Sequence, residues 1–169
     1  MKAYKSFEEF KTYADEIAKT YEFVISSYNE DYSIDIDKYI NINVRTLTEL
    51  PIKFNKVTGP FICSNNKLTS LKGCPEYVGE DFWCHGNKLK SLEGCPKYVG
   101  GDFLCYQNKL TSLKCCPEII NGNFYCADNQ LTSLKYAPKV IRRDWNIERK
   151  FHSYPEYQKY LLVKKIEKL

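Results

Sequence analysis

Four cysteines, Cys63, Cys84, Cys105 and Cys126, stand 21 residues apart, and their surroundings repeat with the same step. Phe61, Cys63, Asn66, Leu68 and Leu71 recur as Phe82, Cys84, Asn87, Leu89 and Leu92. They recur again as Phe103, Cys105, Asn108, Leu110 and Leu113, and as Phe124, Cys126, Asn129, Leu131 and Leu134. A worn copy comes first, with Ile40, Ile42, Leu47 and Leu50 in place of Phe61, Cys63, Leu68 and Leu71. Another comes last, with Trp145 and Ile147 for Phe124 and Cys126, and Lys150 where the Asn would fall. Self-similarity at a fixed short period means stacked coils, because no unit buries its apolar face alone and its neighbours complete the core. The expected division is an N-terminal helical cap over 1–33, about six coils over 34–150, and a C-terminal capping helix over 151–169.

The spacing inside a coil has a physical reading. Phe82 and Cys84 are two apart, so on a short strand they share the inward face, and Leu89 and Leu92 fill the interior after the bend. Asn87 falls where the chain turns away. A side-chain amide there can satisfy backbone groups of its own and the neighbouring coil, so Asn66, Asn87, Asn108 and Asn129 predict a ladder. Pro75, Pro96, Pro117 and Pro138 mark the return side, where they exclude a helix interior. Val78, Val99, Ile120 and Ile141 close the core from there, and Gly79, Gly100 and Gly122 mark the turn into the next strand. Asp81, Asp102, Asn123 and Asp144 precede successive strands and read as turn devices rather than cation ligands.

This pattern resembles the leucine-rich repeat, L-x-x-L-x-L-x-x-N-x-L, over about residues 38–150. Phe and Cys occupy two of its Leu places, and the Leu-Thr-Ser-Leu phrase is similar to bacterial and bacteriophage versions. The resemblance implies an α/β repeat solenoid: a short arc with parallel strands on a concave face and irregular or short helical turns on the convex one. It implies no particular function.

Open solenoids need covered ends. Ser6 with Glu9 reads as a capping box, and Phe7, Phe10, Ile17 and Tyr21 give the helix 7–24 an apolar face. Ile34 and Ile36 alternate with aspartates as a short strand. At the far end Pro155 opens the second helix, with Tyr157, Tyr160 and Leu161 toward the last coil. The net charge of +4 divides unevenly: four lysines against seven acids in 1–33, ten cations against four acids in 135–169. A chain with 27% charged and 43% apolar residues folds as a globule, and no run of eighteen apolar residues spans a membrane. Glu8 and Glu9 interrupt any secretory core, so the expected compartment is cytoplasmic, in a bacterium or an infected host cell. Seven of the eight cysteines form two evenly spaced columns, Cys63, Cys84, Cys105 and Cys126 and then Cys74, Cys95 and Cys116, with Cys115 outside both; the columns do not converge as the close pairs of a zinc site do, and the cysteines read as reduced, buried thiols.

Catalytic signatures are missing from this pattern. Of the two histidines, His85 is adjacent to Cys84 on a strand and points to the opposite face, so the two make no catalytic pair. The expectation is a protein with no enzymatic activity and no cofactor or metal. Function then falls to the surface. Outward strand positions make one column of Ile62, Trp83, Leu104 and Tyr125 and a second containing His85 and Tyr106. Exposed aromatics in a contiguous patch mark an interface. Arg142, Arg143 and Arg149 are expected to flank it. The leading expectation is a module that recognises or occludes a protein through its concave face. By family analogy it inhibits a bacterial or host defence enzyme. The alternatives are nucleic-acid binding through the basic C-terminal region and a homo-oligomeric structural protein, leaving monomer and homodimer both open.

Overall fold

A computed structural model describes residues 2–147, 155 and 157–159. It is a parallel β-solenoid whose coils each contribute two short strands, one to each of two sheets. One helix, α1 (Phe7–Thr20), precedes β1 (Ser27–Tyr28), β2 (Ser33–Ile36), β3 (Ile40–Asn41), β4 (Lys53–Val57) and β5 (Phe61–Ile62). The regular coils follow: β6 (Tyr77–Val78) and β7 (Phe82–Trp83), β8 (Tyr98–Val99) and β9 (Phe103–Leu104), β10 (Ile119–Ile120) and β11 (Phe124–Tyr125), β12 (Val140–Ile141) and β13 (Trp145–Asn146). The first sheet runs β1-β2-β4-β6-β8-β10-β12 and the second β13-β11-β9-β7-β5-β3. Every pairing is parallel except the β1–β2 hairpin.

The second sheet carries the anticipated register. Phe61 pairs with Phe82, Phe82 with Phe103, Phe103 with Phe124, and the worn copies join through Ile40 and Trp145. Phe61, Phe82, Phe103 and Phe124 are fully buried, with consecutive ring centroids 5.3–5.9 Å apart. Each such contact contributes about 0.5–1.5 kcal/mol beyond area burial. Cys63, Cys84, Cys105 and Cys126 form a parallel internal column with no exposure, as do Leu68, Leu89 and Leu110.

The return side corrects the expectation of irregular or helical turns. It is a second parallel sheet, and strands make up most of the regular structure among the described residues. Only Glu76, Tyr77 and Val78 lie between Pro75 and Gly79, too few for a helical turn that hydrogen-bonds to itself. Their backbone groups pair between coils instead: Glu76 N–H donates to Asn55 O and Gly79 N–H to Val57 O, at 2.8 and 2.9 Å.

At the N-terminus, Ser6 Oγ accepts from Glu9 N–H at 3.1 Å, as the capping signal predicts. The Glu9 carboxylate reaches Lys5 N–H, one residue further out. The helix stops at Thr20 rather than 24 and buries Phe10, Ala14 and Ala18. Phe10 packs edge-on against Tyr28 and Tyr32, and Phe23 against Phe54. The expected C-terminal helix lies almost entirely outside the described residues, although Tyr157 stands edge-on to Trp145.

Candidate functional site

Two ladders hold the coils at fixed spacing and so fix the outward faces. In the first, Asn87 Oδ1 accepts the Leu68 N–H of the preceding coil at 3.0 Å. Its Nδ2 donates to the carbonyls of Cys63 and Cys84, also at 3.0 Å. Asn66, Asn108 and Asn129 repeat the arrangement on Leu47, Leu89 and Leu110. In the second, Asp81 accepts from Asp102 N–H, Asp102 from Asn123 N–H, and Asn123 Oδ1 from Asp144 N–H, at 2.7–2.9 Å. These side chains serve the next coil's backbone, which explains the acidic series without a cation. Glycine is required beside them by close approach: a Cβ on Gly100 would stand 2.0 Å from Gly79 O, and one on Gly101 2.1 Å from Asp81 Oδ1.

On that frame Ile62, Trp83, Leu104 and Tyr125 align side by side in the second sheet, the first three pairings running Ile62–Trp83, Trp83–Leu104 and Leu104–Tyr125. Adjacent strands lie about 4.8 Å apart, so the row is continuous. All four are half-buried rather than openly displayed. His85 is buried and stacks on Tyr106 with ring centroids 4.4 Å apart and planes 8° apart; the Trp83 ring lies tilted to the imidazole at 6.2 Å. The Trp83 indole nitrogen and His85 Nδ1 are buried without a hydrogen-bond partner. Burial favours the neutral imidazole and lowers its pKa below 6.5. Cys84 faces the interior, so it and His85 are separated by the strand itself.

Arg142 is held on the side of the first sheet. Arg142 and Arg143 are exposed at the turn after β12. Arg142 Nε donates to Asn121 Oδ1 at 2.9 Å, and Asn121 Nδ2 meets the Tyr98 hydroxyl at 3.3 Å, which ties Arg142 to the first sheet. Arg149 lies outside the described residues.

No family model, curated protein or solved structure matches this chain. The likeness to leucine-rich repeats therefore rests on the repeat pattern, while the solenoid architecture stands on the coordinates.

The thiols have chemistry of their own. None of the eight, all of them among the described residues, forms a disulfide. Burial pushes Cys74, Cys84, Cys105 and Cys116 well above the usual thiol range and Cys95 up to about 12. Cys115, which fits neither cysteine column, is exposed and adopts φ +72°, as does Tyr136 at +70°. Gly73 and Gly94 occupy the same coil position at +93° and +84°, so Cys115 sits in a glycine slot. Among the described residues no three His, Cys, Asp or Glu side chains converge on a metal-sized site.

Sequence reasoning missed the outer face of the first sheet. Tyr77, Tyr98, Ile119 and Val140 form an exposed apolar column there, and the two tyrosines stack at 4.8 Å. The signal was a 21-residue recurrence one place before each buried Val or Ile. It stayed hidden because the return side was expected to be irregular, and irregular turns have no shared outward column.

Proposed function

We propose that the chain is a non-enzymatic binding module of leucine-rich-repeat type, which recognises and occludes a protein partner through its second sheet as the concave face. The observation that carries this reading is the in-register row of Ile62, Trp83, Leu104 and Tyr125. Ile62 and Leu104 show that an aliphatic side chain satisfies the position, so stacking of the coils alone gives no reason for an indole or a phenol. Rigid aromatics bring large contact area to an interface at low entropic cost. Inhibition of a defence enzyme by occlusion is the use this family style favours.

The test is affinity capture from the native host with the wild-type chain, Trp83→Ala, Tyr125→Ala and, as a control on the other face, Tyr98→Ala. The partner's affinity should fall by more than about 1 kcal/mol for each of the first two and hold for the third. Equal affinity for all four proteins refutes the second-sheet model. Capture of nucleic acid, lost as salt rises, would replace the protein partner with a phosphate backbone.

A further inference from the structure

The outer face of the first sheet is self-complementary. Its apolar column reads Tyr77, Tyr98, Ile119, Val140, one residue per coil, with exposures of 38–49%. Immediately before these residues stand Glu76, Lys97, Glu118 and Lys139, so charge alternates along the stack. Within the chain the charges join in two pairs, Lys97–Glu76 at 2.6 Å and Lys139–Glu118 at 2.9 Å, and all four side chains remain 65–77% exposed.

Reverse this column and lay it on itself. A two-fold axis parallel to the strands, passing between the Tyr98 and Ile119 coils, places Glu76 against Lys139 of a second copy and Lys97 against Glu118. The same axis places Tyr77 against Val140 and Tyr98 against Ile119, an aromatic on an aliphatic each time. Both columns share one centre, and no like charges face each other. That is the requirement for an isologous contact, in which one patch is its own complement.

We infer that this face binds a second copy of the chain, giving an antiparallel pair of solenoids joined through their first sheets. Exposed ion pairs hold side chains weakly, so the existing pairs can widen into a chequerboard across the interface. Four coils span roughly 14 Å along the stack, so the contact is small and its association reversible and concentration-dependent. It leaves the Trp83 row outward for another partner, so the inference is independent of the proposed function.

The experiment is sedimentation velocity on the full chain from micromolar to submillimolar concentration. The wild-type mass should rise toward twice the monomer. Lys97→Glu/Lys139→Glu makes the flank wholly acidic and Glu76→Lys/Glu118→Lys makes it wholly basic; each alone should self-associate more than tenfold more weakly. An equimolar mixture of the two should restore a one-to-one dimer that added salt weakens, and that recovery also shows that both variants fold. Trp83→Ala should dimerise like the wild type. A wild type that stays monomeric, single-sign variants that dimerise normally, a mixture that fails to pair, or loss of the dimer in Trp83→Ala would each overturn the inference.

Discussion

Replacing Asn87 with Ala removes one rung of the amide ladder from the middle of the stack. Asn87 is buried, with 8% of its surface exposed. Its loss leaves the Leu68 N–H without its acceptor in a fully buried strip. An orphaned buried donor costs about 1–3 kcal/mol. The carbonyls of Cys63 and Cys84 each lose one donor but keep another, from Asn66 at 3.2 Å and Asn108 at 3.1 Å. They add about 0.5 kcal/mol each, for a total of roughly 2–4 kcal/mol. In a chain of this size that lowers Tm by roughly 4–16 °C.

Asn87→Asp sharpens the test. The introduced carboxylate keeps the shape and can still accept from Leu68, but it points bare oxygen at two carbonyl oxygens. It should cost more than Ala at neutral pH and recover in part on acidification, when the acid becomes a donor. Urea unfolding followed by far-ultraviolet circular dichroism reads both, with Asn129→Ala as an internal scale because Asn129 is only half-buried. If Asn87→Ala stays within about 0.5 kcal/mol of wild type, or Asn129→Ala loses more than Asn87→Ala, the amides do not hold the stack.

Gly100→Ala should destabilise by more than about 2 kcal/mol, because its Cβ would stand 2.0 Å from the backbone oxygen of Gly79 in the preceding coil, whereas Cys115→Gly should stabilise by up to about 1 kcal/mol through relief of its positive φ; paired melting curves check the opposite signs. Burial depresses the folded pKa of His85 below 6.5, so its stabilisation is complete above 6.5 and is lost as pH falls through the folded value. His85→Gln should flatten the decline in stability below pH 6.5, and an unchanged decline would show that other groups cause it. Cys115 should react with a thiol reagent in the native state, whereas Cys63, Cys84, Cys105 and Cys126 should react only on unfolding; fast labelling of the internal column would contradict its packing.

The residues legible in sequence were those whose role repeats in every coil and points inward. Phe82, Cys84, Asn87 and Leu89 announce strand, turn and core by their spacing, and the coordinates place each as read. The Asp81 and Asp102 series was legible as backbone satisfaction but not in its direction, because a local turn and a bond to the next coil look alike in one dimension. The first sheet was illegible for a different reason. Two residues such as Tyr77 and Val78 carry no periodic pattern of their own, and they become a strand only when the neighbouring coil offers its backbone. Arg142 lies near the Trp83 row in a linear repeat diagram, but in space it belongs to the other sheet through Asn121.

The amide ladder has a direction, and the direction explains the two worn copies differently. Each Asn accepts an N–H from the coil before it, so the first coil needs none of its own: Asn66 serves Leu47. The last rung would fall on Lys150, whose side chain has no acceptor, so no repeat asparagine serves the Leu131 N–H. Opening should therefore begin at the C-terminal coil even though Leu131 is as deeply buried as Leu68, Leu89 and Leu110. Native-state hydrogen exchange should find the Leu131 amide less protected than those of Leu68, Leu89 and Leu110, and Asn129→Ala should move the weak point one coil inward to Leu110. Equal protection at all four leucines would mean that packing of Phe and Cys, not the amide rungs, sets where the stack comes apart.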